Sequence, residues 1–273
     1  MANYNRMRCE GKVGVVTGCT SGIGLATITM MVEEGAEAYM MVRNLEKAKP
    51  IAEELNARGP GRIAGIVYFD AEKLETIEPA IKEIYEKAGR IDMFVNNAIG
   101  VGAAGTSPDN DTVTNTSPET TRLLFKGIIG VAAETARVVI PLMIAGGGGS
   151  IVQNSSLTAN QADTTRTYYG IAKSAVNMLT KHIALQYGRQ GVRCNAVLPA
   201  FTAGARTLQY LGQEFCDAWL KHCPIRRIGK PEDQAKAIMF FATDDSEWVT
   251  GQLLEVSGGY GLGAPSWGDT LGG

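Results

Sequence analysis

The chain alternates short apolar runs with longer stretches that repeat apolar residues every three or four positions. KVGVVT (12–17) leads through a glycine-rich turn into a helical stretch at about 24–34. AEAYMMV (36–42) is a second strand, and LEKAKPIAEELNARG (45–59) an amphipathic helix stopped by glycine. RIAGIVYF (62–69) is a third strand. EKLETIEPAIKEIYEKAG (72–89) is a third helix, with Leu74, Ile77, Ile81 and Ile84 near helical spacing. IDMFVN (91–96) makes a fourth strand, and a loop rich in Ser, Thr, Pro and Asp (102–118) precedes a long helix at about 119–145, ended by Gly146 to Gly149. SIVQNS (150–155), a helix at 166–188, VRCNAVL (192–198) and LLEVS (253–257) complete the pattern. Alternation at this pace predicts an α/β fold: a doubly wound, seven-stranded parallel sheet with helices on both faces, in three layers. No composition break or linker divides it, so 1–273 is expected to be a single domain.

One junction carries chemistry. Thr17, Gly18, Cys19, Thr20, Ser21, Gly22, Ile23 and Gly24 stand between the first strand and the first helix. Glycines there allow a tight turn and let backbone N–H groups approach a pyrophosphate at the helix N-terminus, where the dipole favours negative charge. Turns use glycine for ordinary reasons too, so it is the position that points to a dinucleotide. The end of the second strand reports which one: an acid would bind the ribose 2′-hydroxyl of NAD, a base the 2′-phosphate of NADP. The strand ends Met41, Val42, Arg43, Asn44, and the nearby acid, Glu37, lies at its beginning. Arg43 therefore favours NADP(H) over NAD(H), against the plainer reading of a solvated surface arginine.

Charge and composition narrow the class. Twenty-six basic residues against 28 acidic give a formal charge of -2, which offers no broad cationic face to nucleic acid. Apolar residues at 45% and charged residues at 20% support a buried core over disorder. Five cysteines without CxxC spacing indicate neither a disulfide framework nor a zinc ribbon. MANYNRMRCEGK at the start has no apolar h-region, and no uninterrupted apolar run reaches the roughly 18 residues of a spanning helix. The expectation is a cytoplasmic protein with a small-molecule substrate and no metal, nucleic acid or membrane partner.

Two further features join the glycine loop. Asn96-Asn97-Ala98 closes the fourth strand, and Tyr169-Gly170-Ile171-Ala172-Lys173 follows Ser156, which lies thirteen residues upstream of the tyrosine. Together they make the chain resemble the short-chain dehydrogenase/reductase family in its single-domain form, from about residue 11 to 260. Arg227-Ile228-Gly229-Lys230-Pro231-Glu232-Asp233, and Val249-Thr250-Gly251-Gln252 with Ser257-Gly258-Gly259, are similar to the family as well. The resemblance implies a Rossmann fold and an enzyme moving hydride between NAD(P) and a secondary alcohol or ketone, with Ser156, Tyr169 and Lys173 catalytic. The cofactor-binding residues it implies are Gly18, Thr20, Ser21, Gly22, Ile23, Gly24, Arg43, Asp70, Asn97, Ala98, Tyr169, Lys173, Pro199 and Thr202. Asp70 would bind adenine; its plainer reading is a helix cap.

These residues also make chemical sense by themselves. Tyrosine and lysine four apart lie on one helix face, so the ammonium can sit near the phenol. A free phenol, with a pKa of about 10, is poorly placed to act as a base at neutral pH, and a neighbouring cation favours the phenolate. That moves Tyr169 toward the range of proton transfer. Ser156 would hydrogen-bond the substrate oxygen, and Lys173 binds the nicotinamide ribose in the family. Ser155 and Tyr168 are read as structural neighbours. His182 and His222 lack partnered carboxylates, and Cys216 and Cys223 lack catalytic context.

The departures matter. Family members usually carry an asparagine in the long helix, completing a proton relay with the lysine and a water. Counting back from Gly130 puts Gly127 there, and no asparagine occurs in 116–153. The turn after the fourth strand reads Asn97-Ala98-Ile99-Gly100, with isoleucine where glycine is usual, and Pro199-Ala200 stands where Pro-Gly is expected. The threonine that usually binds the carboxamide is off its usual position, with Thr202 as substitute. A cofactor-sensing binding protein on the same fold is the reading of another class; the intact Ser156, Tyr169 and Lys173 favour an enzyme.

In the family the segment after the sixth strand is a substrate lid, here 201–224, and a short tail follows at 261–273. Leu208, Leu211, Phe215 and Trp219 recur at steps of three and four. The stripe is either packing on the body or the wall of a pocket for a bulky apolar alcohol or ketone, such as a hydroxysteroid. A 3-oxoacyl thioester reductase and a polyol or sugar dehydrogenase are the alternatives. The resemblance further implies a homo-oligomer, a tetramer or dimer, through 119–145, 166–188 and 253–257.

Overall fold

A computed structural model describes residues 7–100, 112–204, 208, 210 and 212–263. Part of the expected lid, Leu211 included, and the tail from 264 onward lie outside the described residues. The strands are β1 (Val13–Thr17), β2 (Glu37–Val42), β3 (Arg62–Tyr68), β4 (Met93–Asn96), β5 (Gly149–Asn154), β6 (Val192–Pro199) and β7 (Leu253–Val256). They form one sheet in the order β3-β2-β1-β4-β5-β6-β7, and every pairing is parallel. The chain reverses its direction of travel between β1 and β4. A ligand crevice opens beyond the strand ends at such a point.

The strands read as unbroken apolar runs because both faces are covered. Val15, Phe94 and Ile151 point into one layer with Ile81, Ile84 and Met143. Their neighbours Val16, Val95 and Val152 point into the other with Ile28, Met31 and Met239. The first layer belongs to α3 (Ile77–Ala88), α5 (Val131–Ala145) and α6 (Thr167–Tyr187), the second to α1 (Gly22–Glu33), α2 (Leu45–Asn56) and α8 (Pro231–Ala242). Element ends are set by local chemistry. The Asn44 side chain accepts from the Lys47 N–H to open α2, and Gly89 in the left-handed region closes α3. The third helix is shorter than its periodicity predicts. Leu74–Thr76 forms a separate tight turn, held by the Thr76 hydroxyl donating to the Lys73 carbonyl at 2.7 Å.

The long helix is not continuous. Between α4 (Pro118–Phe125) and α5, Lys126–Gly130 winds as a π-helical turn. Gly127 lies in that turn, and its carbonyl accepts from the Gly100 N–H at 3.0 Å. A Cβ on Gly100 would sit 3.1 Å from the Gly127 Cα, so this close approach requires glycine. Wide turns of this kind concentrate at functional sites. The helix over Pro118–Ala145 is long and apolar enough to cross a bilayer, but half of its most apolar window is buried.

Arg193 on β6 ties the far end of the sheet to α8. Its guanidinium donates to Ser246 Oγ at 2.8 Å and to the carbonyls of Val249 at 3.2 Å, Phe241 at 3.0 Å and Thr243 at 3.0 Å. An ammonium cannot span this fork of four acceptors. We expect Arg193→Lys to lower unfolding free energy by about 2–3 kcal/mol in urea titration through lost hydrogen bonds to a charged group; a loss within experimental error would show the clamp to be ornamental.

Candidate active site

The glycine loop is built to leave room. Gly18 takes φ 66 while its N–H donates to the Met41 carbonyl at 2.8 Å. A Cβ there would lie 2.9 Å from that of Ala98, and one on Gly24 would lie 2.6 Å from the Gly18 carbonyl. Ser21 caps α1 with no side-chain hydrogen bond, and the first turn holds no acid. The orphan N–H groups and the positive helix end are therefore available to an anion. Gly18, Thr20, Ser21, Arg43, Asp70 and Ala98 all line one cleft of about 570 Å³. Lys47, one helical turn beyond Arg43, lines it too; the sequence reading passed over it, although its place in the first turn of α2 was visible. Asp70 accepts from the Glu72 N–H at 3.1 Å, so it makes the local capping contact and still borders the cleft. A dinucleotide fits this geometry: the glycine loop would hold its pyrophosphate, with Arg43 just past β2 and Lys47 in the first turn of α2 as nearby cations.

Asn97 clips the loop to the sheet. Its Nδ2 donates to the carbonyls of Thr17 at 3.0 Å and Gly18 at 3.2 Å. The Thr17 hydroxyl accepts from the N–H groups of Asn97 and Ala98, both at 2.9 Å.

Ser156, Tyr169 and Lys173 meet in a second cavity of about 720 Å³, which Ile23, Asn97, Pro199 and Thr202 also line. Ser156 continues extended from the end of β5, and its hydroxyl is hydrogen-bonded to that of Thr158 at 2.8 Å. Tyr169 and Lys173 ride one turn apart on α6, and the ammonium lies 5.8 Å from the phenol ring centre. Lys173 is 4% exposed and donates to the Asn154 carbonyl at 2.7 Å. Burial brings this lysine down to about 8. Burial also pushes the Tyr169 phenol up, with the Ser156 hydrogen bond and the Arg166 charge pulling the other way. The expected lowering of the phenol by Lys173 is thus not met, because desolvation drives both groups toward their neutral forms.

The neighbours behave as expected. Ser155 donates to Asn177 Oδ1 at 2.7 Å, inside the packing of α6 on β5, and Tyr168 reaches the Val113 carbonyl at 3.5 Å. Cys223 is buried, and burial raises its thiol. Among the described residues no group of three or more His, Cys, Asp or Glu could hold a metal. Thr202, three residues past the end of β6, has its hydroxyl donating to the Ala200 carbonyl at 3.0 Å and accepting from Gln234 at 3.1 Å.

Of the predicted stripe, Leu211 lies outside the described residues. Helix α7 covers Gln213–Leu220, and its Phe215 and Trp219 line the cavity, although Phe215, like Leu208, is exposed. Phe201 packs edge-on to Phe215 at 5.1 Å, and Trp219 stacks on Tyr260 at 4.1 Å with planes 2° apart. Tyr260 was missed in the sequence; the signal was an aromatic residue inside the glycine-rich segment after β7.

The sequence profile described as Enoyl-(Acyl carrier protein) reductase matches residues 18–261. A 7alpha-hydroxysteroid dehydrogenase from Clostridium sardiniense is 39% identical over 260 residues, covering 95% of this chain and 97% of that relative. The chain belongs to the short-chain dehydrogenase/reductase family. Among solved structures, a short-chain type dehydrogenase/reductase from Mycobacterium ulcerans superposes with a TM-score of 0.85 at 27% identity, over 93% of this chain and 91% of that one. A 7 alpha-hydroxysteroid dehydrogenase complexed with NADH and 7-oxo glycochenodeoxycholic acid superposes with a TM-score of 0.83 at 27% identity, over 95% of this chain and 98% of that one. As a member of this family, the chain is an NAD(P)-dependent oxidoreductase of alcohols and ketones.

The buried ammonium has a stability consequence. With Lys173 at about 8 when folded and near 10.5 when unfolded, the unfolded chain binds more protons between these values, and stability from this group rises with pH there. Below pH 8 the full penalty applies, about 3 kcal/mol for a shift of this size. We expect Lys173→Met to raise the melting temperature at pH 7, with a gain that shrinks by pH 9.5. A gain independent of pH would place the ammonium in ordinary solvent.

Proposed function

We propose that this enzyme is a hydroxysteroid dehydrogenase that uses Ser156, Tyr169 and Lys173 on a secondary alcohol or ketone of a bulky, apolar ring system. The observation that carries this is the set of aromatic rings of Phe201, Phe215, Trp219 and Tyr260 lining the cavity that holds Tyr169. Flat aromatic faces suit a rigid polycyclic ligand. The names of the relatives point the same way.

Bound nicotinamide would supply or accept the hydride. The Ser156 hydroxyl orients the substrate oxygen, and the Tyr169 hydroxyl gives the proton to it in reduction and takes it in oxidation. A phenol raised by burial stays protonated at neutral pH, so the proton that ketone reduction consumes is in place on Tyr169. Lys173 holds positive charge beside the phenol and binds ribose. Gly18, Thr20, Ser21, Gly22, Ile23 and Gly24 would hold the pyrophosphate, Asp70 the adenine, and Asn97, Ala98, Pro199 and Thr202 the nicotinamide.

Of the two dinucleotides we propose NADP(H), although the steroid dehydrogenase of known structure is described with NADH. Support comes from Arg43, which is exposed at the cleft and makes no ion pair among the described residues, with Lys47 beside it. The chain would work as one domain with its substrate lid in the segment 201–224, in the reducing cytoplasm that its free cysteines suit. It would act as a tetramer or dimer, burying Leu123, Ile171, Met178 and Leu185, exposed on α4 and α6.

Tyr169→Phe should lower kcat by about 10²–10⁴ while leaving the cofactor Kd near the wild-type value, because the hydroxyl moves a proton but does not hold the dinucleotide. Loss of absorbance at 340 nm with 7-oxo and other oxo-steroids measures it; half or more of wild-type kcat would remove Tyr169 from the mechanism. Arg43→Ala should weaken NADPH far more than NADH, since only a 2′-phosphate offers a guanidinium a bidentate partner. A wild-type preference of tenfold or more for NADH would overturn the assignment.

A further inference from the structure

We infer that Asn154 is a positioning residue that couples the catalytic ammonium of Lys173 to the cofactor loop through Asn97; this rests on the reading of the site as a dehydrogenase site. Asn154 closes β5 and is hydrogen-bonded both to a helix and to the neighbouring strand end. Its backbone carbonyl accepts from Lys173 Nζ at 2.7 Å, on the helix that covers one face. Its side-chain Nδ2 donates to Asn97 Oδ1 at 2.8 Å, a contact between residues 57 apart in the chain. The Asn97 Nδ2 in turn holds the carbonyls of Thr17 and Gly18, under the turn that cradles the pyrophosphate. Three consecutive hydrogen-bonded steps thus run from that turn to the ammonium.

The carbonyl that holds the ammonium comes from the end of the strand. A buried cation gains much from a well-placed acceptor and loses heavily when that acceptor shifts. The Asn154 Oδ1 is itself sealed from solvent without a hydrogen-bond partner. Buried acceptors are rarely left so, and this one lies on the wall that Asn154 shares with Ser156, Tyr169 and Lys173. The carboxamide has its Nδ2 committed to Asn97 and its Oδ1 unsatisfied.

An apolar residue of similar shape at 154 would keep the backbone carbonyl but release the strand end from Asn97. Lys173 would then lose part of its anchoring and deprotonate more readily, and the loop would lose a support. The test measures NADPH and NADH binding by quenching of protein fluorescence, together with the pH dependence of kcat for ketone reduction. The variants are Asn154→Leu, Asn154→Gln, Asn97→Ala and the Asn97→Ala/Asn154→Leu pair, with Asn154→Ser replacing Asn154→Leu if the latter does not fold. We expect Asn154→Leu to weaken cofactor binding about tenfold, the scale of one lost hydrogen bond with its partner left unpaired. The alkaline limb of kcat should move to lower pH, and Asn154→Gln, which keeps a carboxamide, should recover most of both. The double variant should bind cofactor no worse than the weaker single one, the mark of two residues acting along one path. Multiplicative effects on Kd, or an alkaline limb that stays in place, would overturn the coupling. The binding cycle needs no substrate, so a wild-type protein inert toward every oxo-steroid would count against the steroid reading alone.

Discussion

A single buried cation sets the terms for the rest of the site. Lys173 is enclosed between α6 and the end of β5, and its ammonium rests on the Asn154 carbonyl. Enclosure lowers its proton affinity, and the same enclosure raises the phenol one helical turn away. The two groups are held at the low-dielectric end of a cleft, where small changes in charge nearby have large effects. A dinucleotide and a polarised carbonyl bring such changes with them. The fold therefore invests stability in a strained electrostatic arrangement at the place where function needs it.

The sheet makes that arrangement possible. Its strands end together at the reversal between β1 and β4, so the glycine loop, Asn97 and the β5 terminus lie side by side although far apart in sequence. Asn97 and Asn154 join the loop to the strand that carries Ser156. Trp219 and Tyr260, which line the same cavity, stack to connect α7 with the segment after β7. Polar precision lies on the strand ends and apolar breadth on these aromatic rings. That division matches an enzyme that handles one oxygen atom on a large hydrophobic body.

Much of this was legible in the sequence, because periodicity and local turn chemistry act over short distances. The alternation of strands and helices, the loop at Gly18 to Gly24 and the spacing of Tyr169 and Lys173 all report contacts within a few residues. What escaped depends on distant partners. The π-helical turn at Lys126–Gly130 answers to the close approach of Gly100, which no pattern inside the helix reveals. Tyr260 joins the aromatic wall only through Trp219 and the lid. The shift of Tyr169 was misjudged because four-residue spacing shows that a cation is near but not how thoroughly both groups are desolvated. Asn154 read as an ordinary strand residue until its partner 57 positions away was known.

The most direct measurement is the titration of Lys173 itself. Lysine labelled with 13C at Cε, with Lys173→Met for assignment, would follow this ammonium by NMR as pH rises in the cofactor-free protein. The account predicts a midpoint about 8, separated from the other lysines. A midpoint near the ordinary lysine value of about 10.4 would contradict it, because the cation would then be solvated and the coupling built on its burial would have no basis.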